Sequence, residues 1–273
     1  MVGLVGIEPT TSPLSEARSN RLSYSPGTGH CNEETGGESP STPLGARLAT
    51  VELLAQGRDC DVFDLGDGTV LRRSRQAYDQ GPEARILAHV AEHGYPVPRV
   101  HHLADEGRDL IMEKVEGPTM VHALERRPWT ARAVGRQLGE LHNRLHELPG
   151  PDWLPRLPSG DRLLHFDLHP LNVILSPTGP VVIDWTNACV GAPGVDVARA
   201  WALTACANAE VSGVVKLALT RVRKALIGGL LEVAGRDEAR AGLAYAAELT
   251  ALDDHISPVE QERLRALVAA EAT

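Results

Sequence analysis

HFDLHPLNVIL (165–175), followed by VVIDW (181–185), is the part of the chain on which the reading of the whole depends. The first stretch sets Asp167 and Asn172 five residues apart on one short loop, and the second closes an apolar run on Asp184. A carboxylate at the end of an apolar strand is costly to bury without a cationic partner. Phosphoryl transfer asks a protein for little covalent chemistry. It needs a carboxylate near an attacking hydroxyl, ligands for Mg²⁺, and positive charge on the phosphates. Asp167 suits the first role. The Asn172 amide and the Asp184 carboxylate suit the second, since Mg²⁺ prefers hard oxygen donors.

Two rival readings of the same residues stand beside this one. His165, Asp167 and His169 form an H-x-D-x-H set that would suit zinc or iron in a hydrolase. That reading leaves Asn172 and Asp184 without a role and finds no further His at useful spacing. Asp167 and Asn172 could also simply cap turns, as these residue types often do. Turn capping does not account for the ordered set.

The pattern H-x-D-x-x-x-x-N, then apolar strands and Ile183-Asp184-Trp185, resembles the catalytic core of the aminoglycoside phosphotransferase family, over about residues 46–255. The resemblance implies an α+β, protein-kinase-like two-lobe fold. A small antiparallel-sheet N-lobe would carry one helix, and a larger, mainly helical C-lobe would follow. It further implies that Asp167 is the catalytic base, that His165 braces its loop, and that Asn172 and Asp184 hold Mg²⁺. ATP would be the donor and a hydroxyl of a small molecule the acceptor. The family also includes kinases resembling those for choline, sugars, amino alcohols and macrolides, and nothing in this chain selects among them.

Upstream, AQGRDCDVFDLGDGTVLRR (55–73) stands where the family places a phosphate-covering hairpin, here with Gly57 alone at the first turn. The strand after it should bring a basic residue to the phosphates; that position is Arg72, where most of the family has Lys. Arginine keeps the charge and can fork onto phosphate, but it is bulkier and differently hydrated. Val70 shares its strand face and could pack against adenine, while Arg73 points the other way, toward solvent. Glu83 matches the glutamate that pairs with the basic residue; a glutamate near a helix N-terminus is also favoured by the helix dipole. Met112 and Glu113, within IMEKV (111–115), match the hinge that holds the base edge through its backbone.

Asp196, in GAPGVDVARAWAL (191–203), matches an aspartate supporting the catalytic loop, and helix capping is its plainer role. Trp185 and Trp201 read as core or wall residues. Glu248, Asp253 and Asp254 cluster near the C-terminal helices and could receive a cationic acceptor, or be a solvated helix end. RALVAAEAT at the C-terminus lacks the acidic, aromatic ending of the aminoglycoside 3′-type enzymes, which lowers the expectation of antibiotic resistance.

The local patterns agree with two lobes. ATVELLAQG, CDVFDLG, TVLRRSR, YPVPRVHHL and DLIMEKV read as short strands, with Asp67-Gly68 as a hairpin turn. PEARILAHVAEHG reads as a helix with Pro82 at its start, an apolar stripe at Ile86, Leu87 and Val90, and Gly94 as its stop. Val134, Leu138, Leu141 and Leu145 lie on one face of a second helix. Short strands at NVILS and PVVIDW follow, and then helices at 194–209, 211–234, 236–252 and 258–271. The division expected is a nucleotide-binding N-lobe over 46–115 and a C-lobe over 116–273, with the catalytic loop and acceptor site.

Residues 1–45 are rich in Ser, Thr, Pro and Gly and are expected to be disordered. VGIEPTTSPLSEARSNRLSY looks like the opposite-strand translation of a transfer-RNA gene, which would place the natural start near residue 45. The 273 residues are 42% hydrophobic and 23% charged, with only 4% aromatic, so Leu, Val, Ile and Ala must build the core. A net charge of -9 argues against a nucleic-acid or anionic-membrane partner. Four scattered cysteines, with no signal peptide and no long apolar run, suggest reduced thiols in a cytoplasmic protein, a monomer or weak dimer.

A non-catalytic nucleotide-binding module is the alternative from another class, and the intact Asp167, Asn172 and Asp184 speak against it. A protein kinase is a third reading. Only eleven residues separate Asp184 from Asp196, which leaves little room for a peptide-docking segment.

Overall fold

The computed structural model describes residues 52–56, 60–76, 78–207, 213–252 and 256–272. The expected disordered segment 1–45, Gly57, and the candidates Asp253 and Asp254 lie outside them. The first lobe is an antiparallel sheet of β1 (Glu52–Gln56), β2 (Cys60–Asp64), β3 (Thr69–Ser74), β4 (Val100–Ala104) and β5 (Asp109–Glu113), in the order β1-β2-β3-β5-β4. The β2–β3 turn uses glycines at φ 76° (Gly66) and 83° (Gly68), a region that costs glycine little.

One helix, α1 (Gly81–Glu92), is inserted between β3 and β4. It buries Ile86, Leu87 and Val90, the predicted stripe, together with Ala84 and Glu83. Its end falls where Gly94 takes φ 71° and the Tyr95 N–H reaches back to the Val90 carbonyl.

The second lobe is mainly helical: α2 (Met120–Arg126), α3 (Ala131–His146), α4 (Pro193–Cys206), α5 (Gly213–Ala234), α6 (Arg236–Ala251) and α7 (Pro258–Glu271). The predicted face of α3 is buried as read. It meets α5 at very short range. A Cβ on Gly135 would lie 2.0 Å from the Leu226 carbonyl oxygen, and one on Gly229 would lie 2.2 Å from that of Arg132. Only hydrogen side chains allow this crossing.

Two small ladders carry the site. β7 (Val173–Ser176) and β8 (Gly179–Val182) form a hairpin closed at Ser176 and Gly179. β6 (Arg162–Leu164) and β9 (Cys189–Gly191) pair antiparallel and do not stand out in the sequence. Each has three residues and is buried almost throughout, so neither shows an alternating pattern. The core runs through the second lobe and reaches the first through Ala84, Ile86, Leu87, Val90 and Leu110. Cys60, Cys189 and Cys206 are buried thiols. No helix among the described residues is long and apolar enough to cross a membrane.

Candidate active site

The catalytic-loop sequence begins where β6 ends, at His165, and the β7–β8 hairpin returns the chain to Asp184. Two residues between His165 and Asp184 hold left-handed backbone without being glycine: Phe166 and Asp184, each at φ 63°. Such strain persists only where the surroundings impose it. Asp196, 1% exposed at the start of α4, supplies that force at Phe166. Its carboxylate accepts the N–H of Phe166 at 2.8 Å and of His165 at 3.3 Å. His146 donates to it through Nε2 at 3.0 Å, and His142 Nδ1 stands 3.5 Å away. Burial pushes the Asp196 pKa up, but the two imidazoles outweigh it and hold the carboxyl far below the usual range.

His142, His146 and Asp196 form a compact buried group of a kind that could hold a metal ion. Here the carboxylate is already taken up by the loop's amides and by His146, so the group reads as a brace. His142 and His146 went unrecognised in the sequence. Their i, i+4 spacing on the buried face of α3 was the available signal.

His165 is wholly buried. Its Nε2–H donates to the Ile183 carbonyl at 3.1 Å, its Nδ1 accepts the Asp167 N–H at 3.2 Å, and its ring lies 4.6 Å from that of Trp185. The imidazole therefore ties the loop to the segment leading to Asp184, and burial lowers its pKa, keeping it neutral. Asn172 donates through Nδ2 to the Asp167 carbonyl at 2.9 Å and to Asp167 Oδ2 at 3.2 Å. The amide oxygen of Asn172 is then the atom left to offer a cation. The backbone also joins the loop to the Asp184 segment, through the Ile183 N–H on the Asn172 carbonyl at 3.0 Å.

From the sheet side, Arg72 on β3 forks onto two acids. Nη1 contacts Glu83, and Nη2 lies 3.4 Å from Asp184 Oδ1. Glu83, 5% exposed, also accepts the Trp185 N–H at 3.2 Å, and its carboxylate lies 3.3 Å from the Thr186 hydroxyl oxygen. Glu83 thus reaches beyond a helix-end role and fastens α1 to the Asp184 segment. For Asp184, burial pushes the pKa up, but Arg72 and the 2.9 Å bond from Thr186 bring it below the ordinary value. For Arg72, burial pulls the pKa down, and Glu83 and Asp184 raise it well above the ordinary value.

The remaining expected residues are more scattered. Val70 is buried and pairs across the sheet with half-buried Met112. Glu113 is exposed and accepts the Arg99 N–H at 3.2 Å. Next to it, Lys114 links the strand end to β2 through Asp64 at 2.7 Å, a contact that the sequence did not suggest. Arg73 departs from the expectation of a solvated side chain. It grips the fully buried Asp109 with Nε at 2.7 Å and Nη2 at 2.5 Å, because that carboxylate needs a charged partner. Trp185 and Trp201 are core residues, 1% and 3% exposed. Glu248 is exposed on α6.

A small antiparallel-sheet lobe with one helix, followed by a larger helical lobe that carries this loop, defines a kinase-like phosphotransferase architecture. The model of the phosphotransferase enzyme family matches residues 50–158 and 151–241, well over half of the chain, and the protein belongs to that family. It is an enzyme of that class.

Solved structures agree on the fold. A thermostable mutant of aminoglycoside phosphotransferase APH(4)-Ia in its apo form superposes with a TM-score of 0.56 at 18% identity, covering 82% of this chain and 95% of that one. A further single-residue variant of it, in ternary complex with ADP and hygromycin B, gives 0.58 at 17% identity, with the same coverage. The ternary complex of APH(2″)-IIa with streptomycin and ATP gives 0.50 at 14%, covering 81% and 93%. Among curated proteins, the KEOPS complex subunit Bud32 of Pyrococcus abyssi is 38% identical over 65 residues. That match is 22% of this chain and 30% of that protein, so it spans under a third of the relative's length.

Proposed function

We propose that the protein transfers the γ-phosphoryl group of ATP to a hydroxyl of a small molecule, with the nucleotide on the N-lobe side (46–115) and the acceptor on the C-lobe side (116–273). The observation that carries this reading is the linkage of the Asp167–Asn172 pair, through the Ile183 N–H on the Asn172 carbonyl, to the segment of Asp184, whose carboxylate lies against the Arg72–Glu83 pair. The naming of ADP and ATP in the complexes of two similar folds supports a nucleotide donor.

Asp167 orients the acceptor hydroxyl and takes its proton as the oxygen attacks the γ-phosphorus. The new P–O bond forms as the bond to the bridging oxygen breaks, and ADP leaves with that oxygen. Asn172 keeps the base in place through its amide nitrogen. Arg72 trades part of its contact with the two acids for contact with phosphate oxygens, and Glu83 keeps the guanidinium in reach. Val70 packs against the base of the nucleotide, and the backbone at Met112 and Glu113 holds its edge. His165 and Asp196 hold the loop and do not touch substrate.

The donor set suits Mg²⁺: Asn172 has its amide oxygen to give, and Asp184 is a carboxylate kept ionised. When bound there, the ion would neutralise charge on the phosphates.

The test is a coupled ADP-release screen with Mg-ATP across aminoglycosides, choline, sugars and amino alcohols, with Asp167→Asn as the blank. Acceptor-dependent ADP release by the wild type alone is expected. Equal release by Asp167→Asn would remove Asp167 from the role of base. A cationic acceptor would be received by Glu248, Asp253 and Asp254, and Glu248→Gln should then raise its KM and leave that of ATP unchanged.

A further inference from the structure

His169 has no part in the chemistry above, yet it is buried within the loop, with its side chain 11% exposed. Its two ring nitrogens have different surroundings. Nδ1 accepts the N–H of Leu171 at 3.3 Å. A nitrogen that accepts carries no proton, so a neutral ring must carry its proton on Nε2. That Nε2 stands 3.6 Å from Asp167 Oδ1. The separation exceeds a formed hydrogen bond, but contacts of this kind in an enzyme without substrate commonly tighten in the reacting complex. The other carboxylate oxygen, Oδ2, already receives Asn172 Nδ2 at 3.2 Å. Donors therefore face both oxygens of the base, one from each side of the loop. The short turn that joins them is closed by the Asn172 N–H on the His169 carbonyl at 2.9 Å.

We propose that His169 is a positioning residue for the catalytic base: its Nε2–H, fixed in that tautomer by Leu171, closes on Asp167 Oδ1 and, opposite Asn172, sets the carboxylate plane for the incoming hydroxyl. A carboxylate has about four lone-pair sites, so one donor on each oxygen still leaves room to take the acceptor's proton. A neutral donor steadies Asp167 without forming an ion pair with it. The proposal rests on the reading of Asp167 as the base.

The experiment has two arms. In the first, the whole protein labelled with ¹⁵N-histidine is examined by long-range ¹H–¹⁵N NMR at neutral pH, with His169→Gln used to assign the signal. The expected signature is the neutral Nε2–H tautomer, with a proton resonance that moves in Asp167→Asn. An Nδ1–H tautomer, an imidazolium, or a resonance indifferent to Asp167→Asn overturns the proposal. In the second arm, turnover of Mg-ATP is followed with water or with the acceptor found in the screen. His169→Leu should lower kcat by about 10- to 100-fold, the scale of misorientation by a fraction of an ångström, with KM for ATP little changed. His169→Gln, which keeps an N–H donor, should recover much of the loss. His169→Leu should cost almost nothing further in an Asp167→Asn background. Equal loss in Leu and Gln, or a loss that adds in full to Asp167→Asn, overturns it as well. Absence of any wild-type turnover would instead defeat the proposed function, and the NMR arm would still decide whether His169 pairs with Asp167.

Discussion

The two lobes hold their candidate site groups by different means. On the C-lobe side, Asp196 is almost completely buried and takes amide and imidazole hydrogen bonds from two separate elements. On the N-lobe side, Arg72 sits 14% exposed between Glu83 and Asp184, on a sheet whose outer strand β1 is exposed along its length. The loop of Asp167 is thus fixed by the fold itself, because moving it would strand buried amides and a buried charge. The basic clamp is held mainly by charge attraction, which a phosphate can rearrange at small cost. This suits the chemistry. The base must be placed to a fraction of an ångström, whereas a neutralising cation must follow phosphates that move during transfer.

The contrast breaks most severely at the brace. Asp196→Ala should cost about 3–5 kcal/mol of stability, the usual penalty for stranding a buried ionic network, and abolish turnover as well. Urea denaturation checks this, and an unchanged midpoint would show that the brace is not structural. Asp167→Asn should leave the midpoint near that of the wild type yet lower kcat by about 10²–10⁴-fold, the range for general-base catalysis. A smaller loss would mean that the loop orients the acceptor without removing its proton.

On the clamp side the effects should be milder. Arg72→Ala should reduce kcat/KM for ATP by about 10- to 100-fold, the scale of a lost charged hydrogen bond to substrate. Arg72→Lys should restore much of it, since Lys is the commoner residue at this position in the family that the sequence resembles. If Lys were as poor as Ala, the fork across both acids would be essential to this enzyme.

The smallest effect concerns pH. Asp196 has a folded-state pKa below its unfolded one, so its contribution is present above the ordinary carboxylate range and is lost as pH falls through it. Buried His146 is also shifted down, so the unfolded chain binds its proton first, and stability declines once pH drops below about 6.5. The melting temperature should therefore fall below about pH 6.5 through His146, and below about pH 4 the wild type should lose a further contribution that Asp196→Asn does not carry, so the two differ in slope there. Parallel slopes in the two proteins would place the acid sensitivity elsewhere.

Much of this was legible in the sequence. The stripe on α1, the face of α3 and the β7–β8 hairpin are local repeats of burial, and local repeats survive in a linear reading. The spacing of His165, Asp167, Asn172 and Asp184 survives for the same reason, since one short loop and one hairpin contain it. The β6–β9 ladder did not show, because three buried residues have no period.

What the sequence determined by itself is the set of chemical groups: a carboxylate and an amide on one loop, a second carboxylate after a hairpin, and a basic residue on an upstream strand. The tertiary structure alone decided their partners. Arg72 lies 11 residues from Glu83 and 112 from Asp184, yet one guanidinium spans both. Asp109 claims Arg73, which sequence reading gave to solvent. Phe166 and Asp184 take left-handed backbone that side chains normally avoid, Phe166 under the grip of an aspartate 30 residues away. Apolar periodicity records which face is buried, but a buried charge is stabilised only by the particular group that folding brings to it, and that pairing has no local trace.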